Sequence, residues 1–162
     1  MGDGFFNRKL VRPILDLLKQ GVTPEKLALS VALGTVIGLF PALGWTTGMC
    51  ALAALALRLN LPAIQIVNYF LYPVQIALII PFFRLGEKLF GAPHLPISVP
   101  QIYALAHADL WRAIKFLWTT TWHAMVVWAI LAPVGAAIVY YLVAPLLRRF
   151  IRKEHASLAE AV

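Results

Sequence analysis

Residues Leu59 to Phe83 read LNLPAIQIVNYFLYPVQIALIIPFF, 25 positions without a single Asp, Glu, Lys or Arg. A helix needs about 20 apolar residues to cross a hydrocarbon core, and a charge at its centre costs roughly 2.5–3.5 kcal/mol on the insertion scale. The stretch is therefore long and apolar enough to enter a bilayer. Two similar charge-free runs flank it, 31 residues from Leu27 to Leu57 and 32 from Phe116 to Leu147. Composition points the same way. The chain of 162 residues is 61% hydrophobic and 13% charged, with a mean hydropathy of +0.80. Ordinary soluble domains are about 45–50% apolar and about 25% charged. These values argue against a soluble globular enzyme, and the abundance of Leu, Ile, Val and Phe argues against disorder. The expected fold class is all-α, a polytopic membrane protein forming one membrane domain over residues 1–162.

Within the quoted stretch, Asn60-Leu61-Pro62 reads as a turn leading into a helix, and Pro73 interrupts that helix near its middle, which predicts a broken transmembrane helix over 62–91. Four polar residues stand out. Gln65, Asn68, Tyr72 and Gln75 are spaced 3, 4 and 3 apart. On one continuous helix they share an arc of about 80°, with Tyr69 within reach. Amides do not face lipid, because an unsatisfied polar group in hydrocarbon costs several kcal/mol. They face either neighbouring helices, as hydrogen-bonding ties, or the lining of a polar path or head-group pocket.

The first run divides in two. Thr23-Pro24-Glu25 supplies a cap, a first-turn proline and an early carboxylate. Pro41-Ala42-Leu43-Gly44 then breaks the pattern before a second helix starts near Thr46. The halves measure roughly 25 Å and 20 Å, so residues 24–58 read as a short or re-entrant helical hairpin. Ser30, Gly34 and Gly38 recur every four positions, as do Gly44 and Gly48, a spacing that lets helix backbones approach closely in lipid. The breaks at Pro41, Gly44 and Pro73 resemble the interrupted helices that mark transporter substrate sites, or else they are kinks in a curved bundle.

The remaining segments follow from local pattern. Residues 4–20 alternate apolar and basic faces as an interfacial amphipathic helix, and this end is expected to be retained rather than cleaved. The segment 92–115 is a proline-rich loop and an interfacial helix; 116–150 is a transmembrane helix interrupted at Pro133, and 151–162 is a cytoplasmic tail. Trp111, Trp118 and Trp122 lie on one helical face, as an aromatic belt does.

Charge supplies orientation. The balance is 14 Lys+Arg against 7 Asp+Glu, a net +7. The basic residues gather outside the apolar runs, at Arg8, Lys9, Arg12, Lys19 and Lys26 and again at Arg148, Arg149, Arg152 and Lys153. That is the positive-inside arrangement, with both termini cytoplasmic and an even number of crossings. The loop from about Leu89 to Lys115 then faces outward, although Arg84, Lys88, Arg112 and Lys115 bracket it. A nucleic-acid partner is not expected; membrane lipids are. Arg84 and Glu87, three apart, form a candidate ion pair. Cys50 reads as a small buried hydrophobe, and His123 as a packed residue more than a proton relay. The four histidines show no metal-ligand spacing, and neither a catalytic constellation nor a cofactor motif stands out, so no enzymatic activity is expected.

The stretches from Leu33 to Pro41 (LGTVIGLFP), Leu57 to Pro62 (LRLNLP), Tyr72 to Gln75 (YPVQ) and Pro81 to Glu87 (PFFRLGE) resemble, in order and spacing, the prokaryotic membrane family catalogued as domain of unknown function 2062. The resemblance covers about residues 8 to 150. It implies an integral inner-membrane protein and no established activity. Members often carry Asn-Pro where this chain has Tyr72-Pro73, so no role carries over to that asparagine. Two functions fit these features. One is a small translocator of a lipid head group or solute through a pocket between broken helices, which calls for a homo-oligomer because four short segments enclose little volume. The other is a non-transporting membrane component that packs against a partner.

Overall fold

A computed structural model describes residues 23–92 and 107–159. The interfacial helix expected at 4–20, the proline-rich connection and residues 101–106 of the helix expected between Gln101 and Lys115 lie outside the described residues. Among the described residues five helices occur: α1 (Pro24–Gly38), α2 (Thr46–Leu57), α3 (Leu61–Phe70), α4 (Tyr72–Phe90) and α5 (Leu110–Ala159). No strand is present among them. The all-helical expectation holds.

Local chemistry sets most helix ends. Thr23 is extended, and its side chain accepts a hydrogen bond from the Lys26 amide at 3.3 Å, with Pro24 just inside the first turn. At the other end of α1 the last turn tightens. The Leu39 N–H is shared between the Thr35 and Val36 carbonyls, and the Phe40 N–H reaches Ile37 at 3.0 Å. Pro41 then has no N–H to continue the ladder. Gly44 turns the chain at φ +87°, and α2 closes on Arg58 in the left-handed region. Asn60 caps α3 by accepting from the Ala63 amide at 2.8 Å, and α4 ends on Gly91 at φ +60°.

Helix α1 lies at the centre, packed on α5, α3 and α2, while α4 covers the first half of α5. The core is Val36, Ile37, Cys50, Ala54 and Ile64, with Leu33, Met49, Leu59 and Ala132 against it. Glycines make the closest crossings. A Cβ on Gly34 would lie 2.8 Å from the Ile64 carbonyl oxygen, and one on Gly86 would lie 2.9 Å from the His123 backbone carbon. The Ser30, Gly34, Gly38 stripe therefore packs within the chain, whereas Gly44 and Gly48 meet nothing.

Beside this apolar core, large apolar side chains also crowd the exposed surface, and several polar ones lie inside. Ser30, Thr46, Asn60, Asn68, Gln75, Glu87 and Thr120 are buried, while Trp45, Leu52, Leu55, Ile66, Phe70 and many other large apolar side chains are exposed, Phe70 at 83%. Soluble monomers rarely leave large contiguous apolar patches uncovered.

Asn60 ties two helices as well as capping one. Its backbone N–H donates to Ser30 Oγ at 3.3 Å, and Ser30 itself donates to the Lys26 carbonyl at 2.8 Å. Asn60→Ala is expected to lower stability by about 1–2 kcal/mol through loss of the cap. Thermal unfolding of purified protein in a mild detergent checks this, with Asn60→Asp retaining most of the stability.

Three expectations are corrected. The helix expected to break at Pro73 breaks earlier, at Leu71, and Pro73 sits in the first turn of α4. Proline lacks the N–H that would bond four residues back, yet its fixed φ suits a helix start. The two pieces meet at 62°, so the four polar residues do not share one continuous helix face. The third apolar run is not broken: α5 runs uninterrupted through Pro133 and Pro145. Nor is it separate from its neighbours, because residues 110–115 and the start of the expected tail belong to the same helix.

Candidate functional site

The polar residues of α3 and α4 meet the end of α1. The Phe40 carbonyl lies beyond the tightened last turn, just before Pro41, where no amide of α1 reaches it. Gln75 supplies the donor, its Nε2 lying 2.8 Å from Phe40 O, and its side chain is buried at 2% exposure. The Val36 carbonyl loses its usual helical donor for a related reason, since the Phe40 amide has turned to Ile37 and only the shared Leu39 N–H, at 3.3 Å, still reaches it. Trp128 of α5 donates its indole N–H to Val36 O at 2.8 Å. The Phe40 ring then stands edge-on to Trp128 at 4.9 Å. Two side chains from two different helices thus complete the C-terminus of α1.

The other amides make a second group. Gln65 Nε2 donates to the Thr47 carbonyl at 3.0 Å, tying α3 to the first turn of α2, and Asn68 Nδ2 lies 3.4 Å from Gln65 Oε1. Asn68 is 3% exposed and backs onto Gly38, where an added Cβ would lie 3.3 Å from its Cα. No buried side-chain nitrogen or oxygen among the described residues lacks a partner.

Of the four residues expected on one stripe, Gln65, Asn68 and Gln75 turn toward α1 and α2. Tyr72 does not; it is 48% exposed. The 62° bend at Leu71 carries it off the shared face. The breaks at Pro41 and Pro73 are brought together, joined by the Gln75 to Phe40 bond, while Gly44 stays open on the connecting turn. Arg84 and Glu87 do pair, Nη1 to Oε2 at 2.9 Å, and the pair is half inside: Glu87 is 2% exposed. Glu87 lies next to Gly86, the closest crossing of α4 with α5.

Trp128 and Ser30 were not among the expected polar contacts. The indole of Trp128 sits in an apolar run, and the only signal for it was general: a buried Trp N–H finds an acceptor. Two open cavities occur elsewhere. One, of about 610 Å3, runs along the outer side of α5 past Pro133, Val134, Ala137, Ile138, Tyr141 and Leu142. The other, of about 310 Å3, lies between the start of α5 and the end of α4. Among the described residues no group of three or more His, Cys, Asp or Glu side chains is arranged to hold a metal ion.

The family model described as "Uncharacterized protein conserved in bacteria (DUF2062)" matches residues 7–156. No curated protein and no solved structure matches the chain. With a match that spans nearly its full length, this chain belongs to the bacterial family DUF2062.

Proposed function

We propose that this chain is an integral membrane protein of the bacterial inner membrane, acting as a non-transporting, non-catalytic component. The membrane part of the reading is supported by the many large apolar side chains left exposed. Helix α5 carries a candidate span, Leu110–Arg149, whose most apolar 18-residue window is only 6% buried. A core helix of a soluble protein would be mostly buried. Helices α3 and α4 add a second span if the bent pair is one. The short α1 and α2, roughly 22 Å and 18 Å long, suit a re-entrant hairpin that does not reach across the ~30 Å core.

The non-transporting part rests on one observation, that both glutamine amides are engaged by backbone carbonyls at helix ends and Asn68 by Gln65. A polar path needs groups with free hydrogen-bonding capacity facing water. Here Gln75 and Gln65 are held by Phe40 and Thr47. The translocator reading would require those bonds to open, and the homo-oligomer expected above belongs to that reading.

Two measurements test the proposal. The protein is expected to stay in the pellet after alkaline carbonate extraction of membranes; release into the supernatant overturns membrane integration. In a Cys50→Ala background, single cysteines at Gln65, Asn68 and Gln75 are expected to resist a membrane-impermeant maleimide in intact cells and in inverted vesicles alike. Labelling of Asn68→Cys and Gln75→Cys from either side would favour the path instead.

A further inference from the structure

The smaller cavity has a chemistry of its own. It is lined by Ala92 at the end of α4 and by Arg112, Lys115, Phe116, Thr119, Thr120 and His123 of α5, and holds about 310 Å3. The α5 residues fall on one helix face at spacings of three and four. Arg112 and Lys115 stand exposed at its outer end. His123 closes the inner end, its ring stacked on Phe90 at 4.2 Å. The volume lies at the lower end of the ~300–1,000 Å3 of small-molecule pockets.

The donors and acceptors are sorted. Thr119 and Thr120 donate their hydroxyl protons to the Lys115 and Phe116 carbonyls at 2.9 and 3.0 Å, so toward the cavity their oxygens only accept. Arg112 and Lys115 only donate. Lys115 Nζ sits 5.6 Å from the centre of the Trp111 ring, at the edge of the exposed face formed by Trp111, Trp118 and Trp122. The one acidic neighbour in this first turn, Asp109, accepts from the Arg112 backbone amide at 3.0 Å as the helix cap. Positive donors at the mouth, with Phe116 and the stacked rings of His123 and Phe90 below them, match a phosphate diester whose acyl chains run inward along an apolar floor.

The placement of charge supports a local role independently. The apolar stretch of α5 has Arg112 and Lys115 at one end and Arg148 and Arg149 at the other. The positive-inside rule accounts for cations at the cytoplasmic end only. Arg148 Nε pairs with Glu25 at 2.8 Å. Orientation does not explain the opposite pair, and that pair borders the cavity.

We propose that this groove is a binding site for an anionic phospholipid, with Arg112 and Lys115 holding the phosphate at the aromatic belt. It rests on the membrane reading above. The test uses full-length protein purified in a neutral detergent, titrated with short-chain phosphatidylglycerol, short-chain phosphatidylcholine and inorganic phosphate, with binding read by native mass spectrometry and tryptophan fluorescence. Phosphatidylglycerol is expected to bind most tightly. Arg112→Gln with Lys115→Gln is expected to weaken it by at least about tenfold, and Thr119→Trp, which fills the groove without changing charge, by a similar factor. Arg148→Gln with Arg149→Gln is expected to leave it within about twofold. Equal weakening by both charge-removing pairs, or no effect of Thr119→Trp, overturns the site in favour of diffuse attraction. Equal binding of the two lipids overturns the anion preference, and inorganic phosphate binding as tightly as phosphatidylglycerol overturns the lipid as its source. A protein that resists carbonate extraction yet fails these titrations keeps the membrane reading and loses this one.

Discussion

Gly34→Leu and Gly86→Leu are each expected to abolish the stable fold. Even a Cβ at Gly34 would sit 2.8 Å from the Ile64 carbonyl oxygen and 3.0 Å from Val67 Cβ, and at Gly86 it would sit 2.9 Å from the His123 backbone carbon. These neighbours are largely backbone and cannot rotate away. The helices must separate, which undoes the α1–α3 or the α4–α5 crossing. Overpacking of one or two carbons costs about 1–3 kcal/mol, and a leucine adds more, against a typical total stability of about 5–15 kcal/mol. Gly34→Ala and Gly86→Ala should therefore lower the unfolding midpoint, and the leucine variants should fail to accumulate as monodisperse protein in detergent. Gly48→Ala is the matched control. Nothing lies within 4 Å of its added Cβ, and replacing a helix-interior glycine by alanine stabilises by up to about 1 kcal/mol. Size-exclusion profiles and thermal unfolding of the five variants check the contrast, and a destabilised Gly48→Ala would remove its basis.

Gln75→Leu is expected to destabilise the bundle by about 1–3 kcal/mol, the cost of leaving the buried Phe40 carbonyl without a donor. Trp128→Phe removes the shorter of the two bonds to Val36 O, leaving the shared Leu39 N–H at 3.3 Å, while keeping most of the ring against Phe40, and should cost about 1 kcal/mol. Both variants act on the same five residues, Val36 to Phe40, that close α1, so their effects should not add. A coupling of about 0.5–3 kcal/mol is typical of residues sharing a network. Equilibrium unfolding of the two single variants and the double variant measures it. The result also bears on function: a path residue would lose activity with unchanged stability, whereas a tie loses stability first. An unshifted midpoint for Gln75→Leu would contradict the tie.

Much of the architecture was legible locally. Thr23-Pro24-Glu25 announces the start of α1, Pro41 and Gly44 announce its end and the turn, and Asn60-Leu61-Pro62 announces α3. Each signal acts through atoms within three or four residues, by capping an amide, withholding one or permitting a positive φ. The inward burial of Asn68 and Gln75 was also legible, because an apolar helix has few places to put an amide. Their shared face with Tyr72 was not. The arc was drawn on one straight helix, and the proline that restarts the helix bends it at Leu71. Pro133 misleads in the opposite sense, and the helix passes it and Pro145 alike. An internal proline removes one backbone hydrogen bond, and α5, long and packed along α1 and α4, continues through both.

The amino-acid sequence by itself determined that the chain is helical and rich in apolar surface, where α1, α2 and α3 start, and which amides must turn inward. Tertiary structure alone decided what those amides meet. The partners of Gln75 and Trp128 lie 35 and 92 residues away. Both are backbone carbonyls, a group every residue carries, so no side-chain pattern marks them. Which carbonyl lacks a partner depends on how the last turn of α1 tightens, and which donor reaches it depends on how α4 and α5 cross that turn.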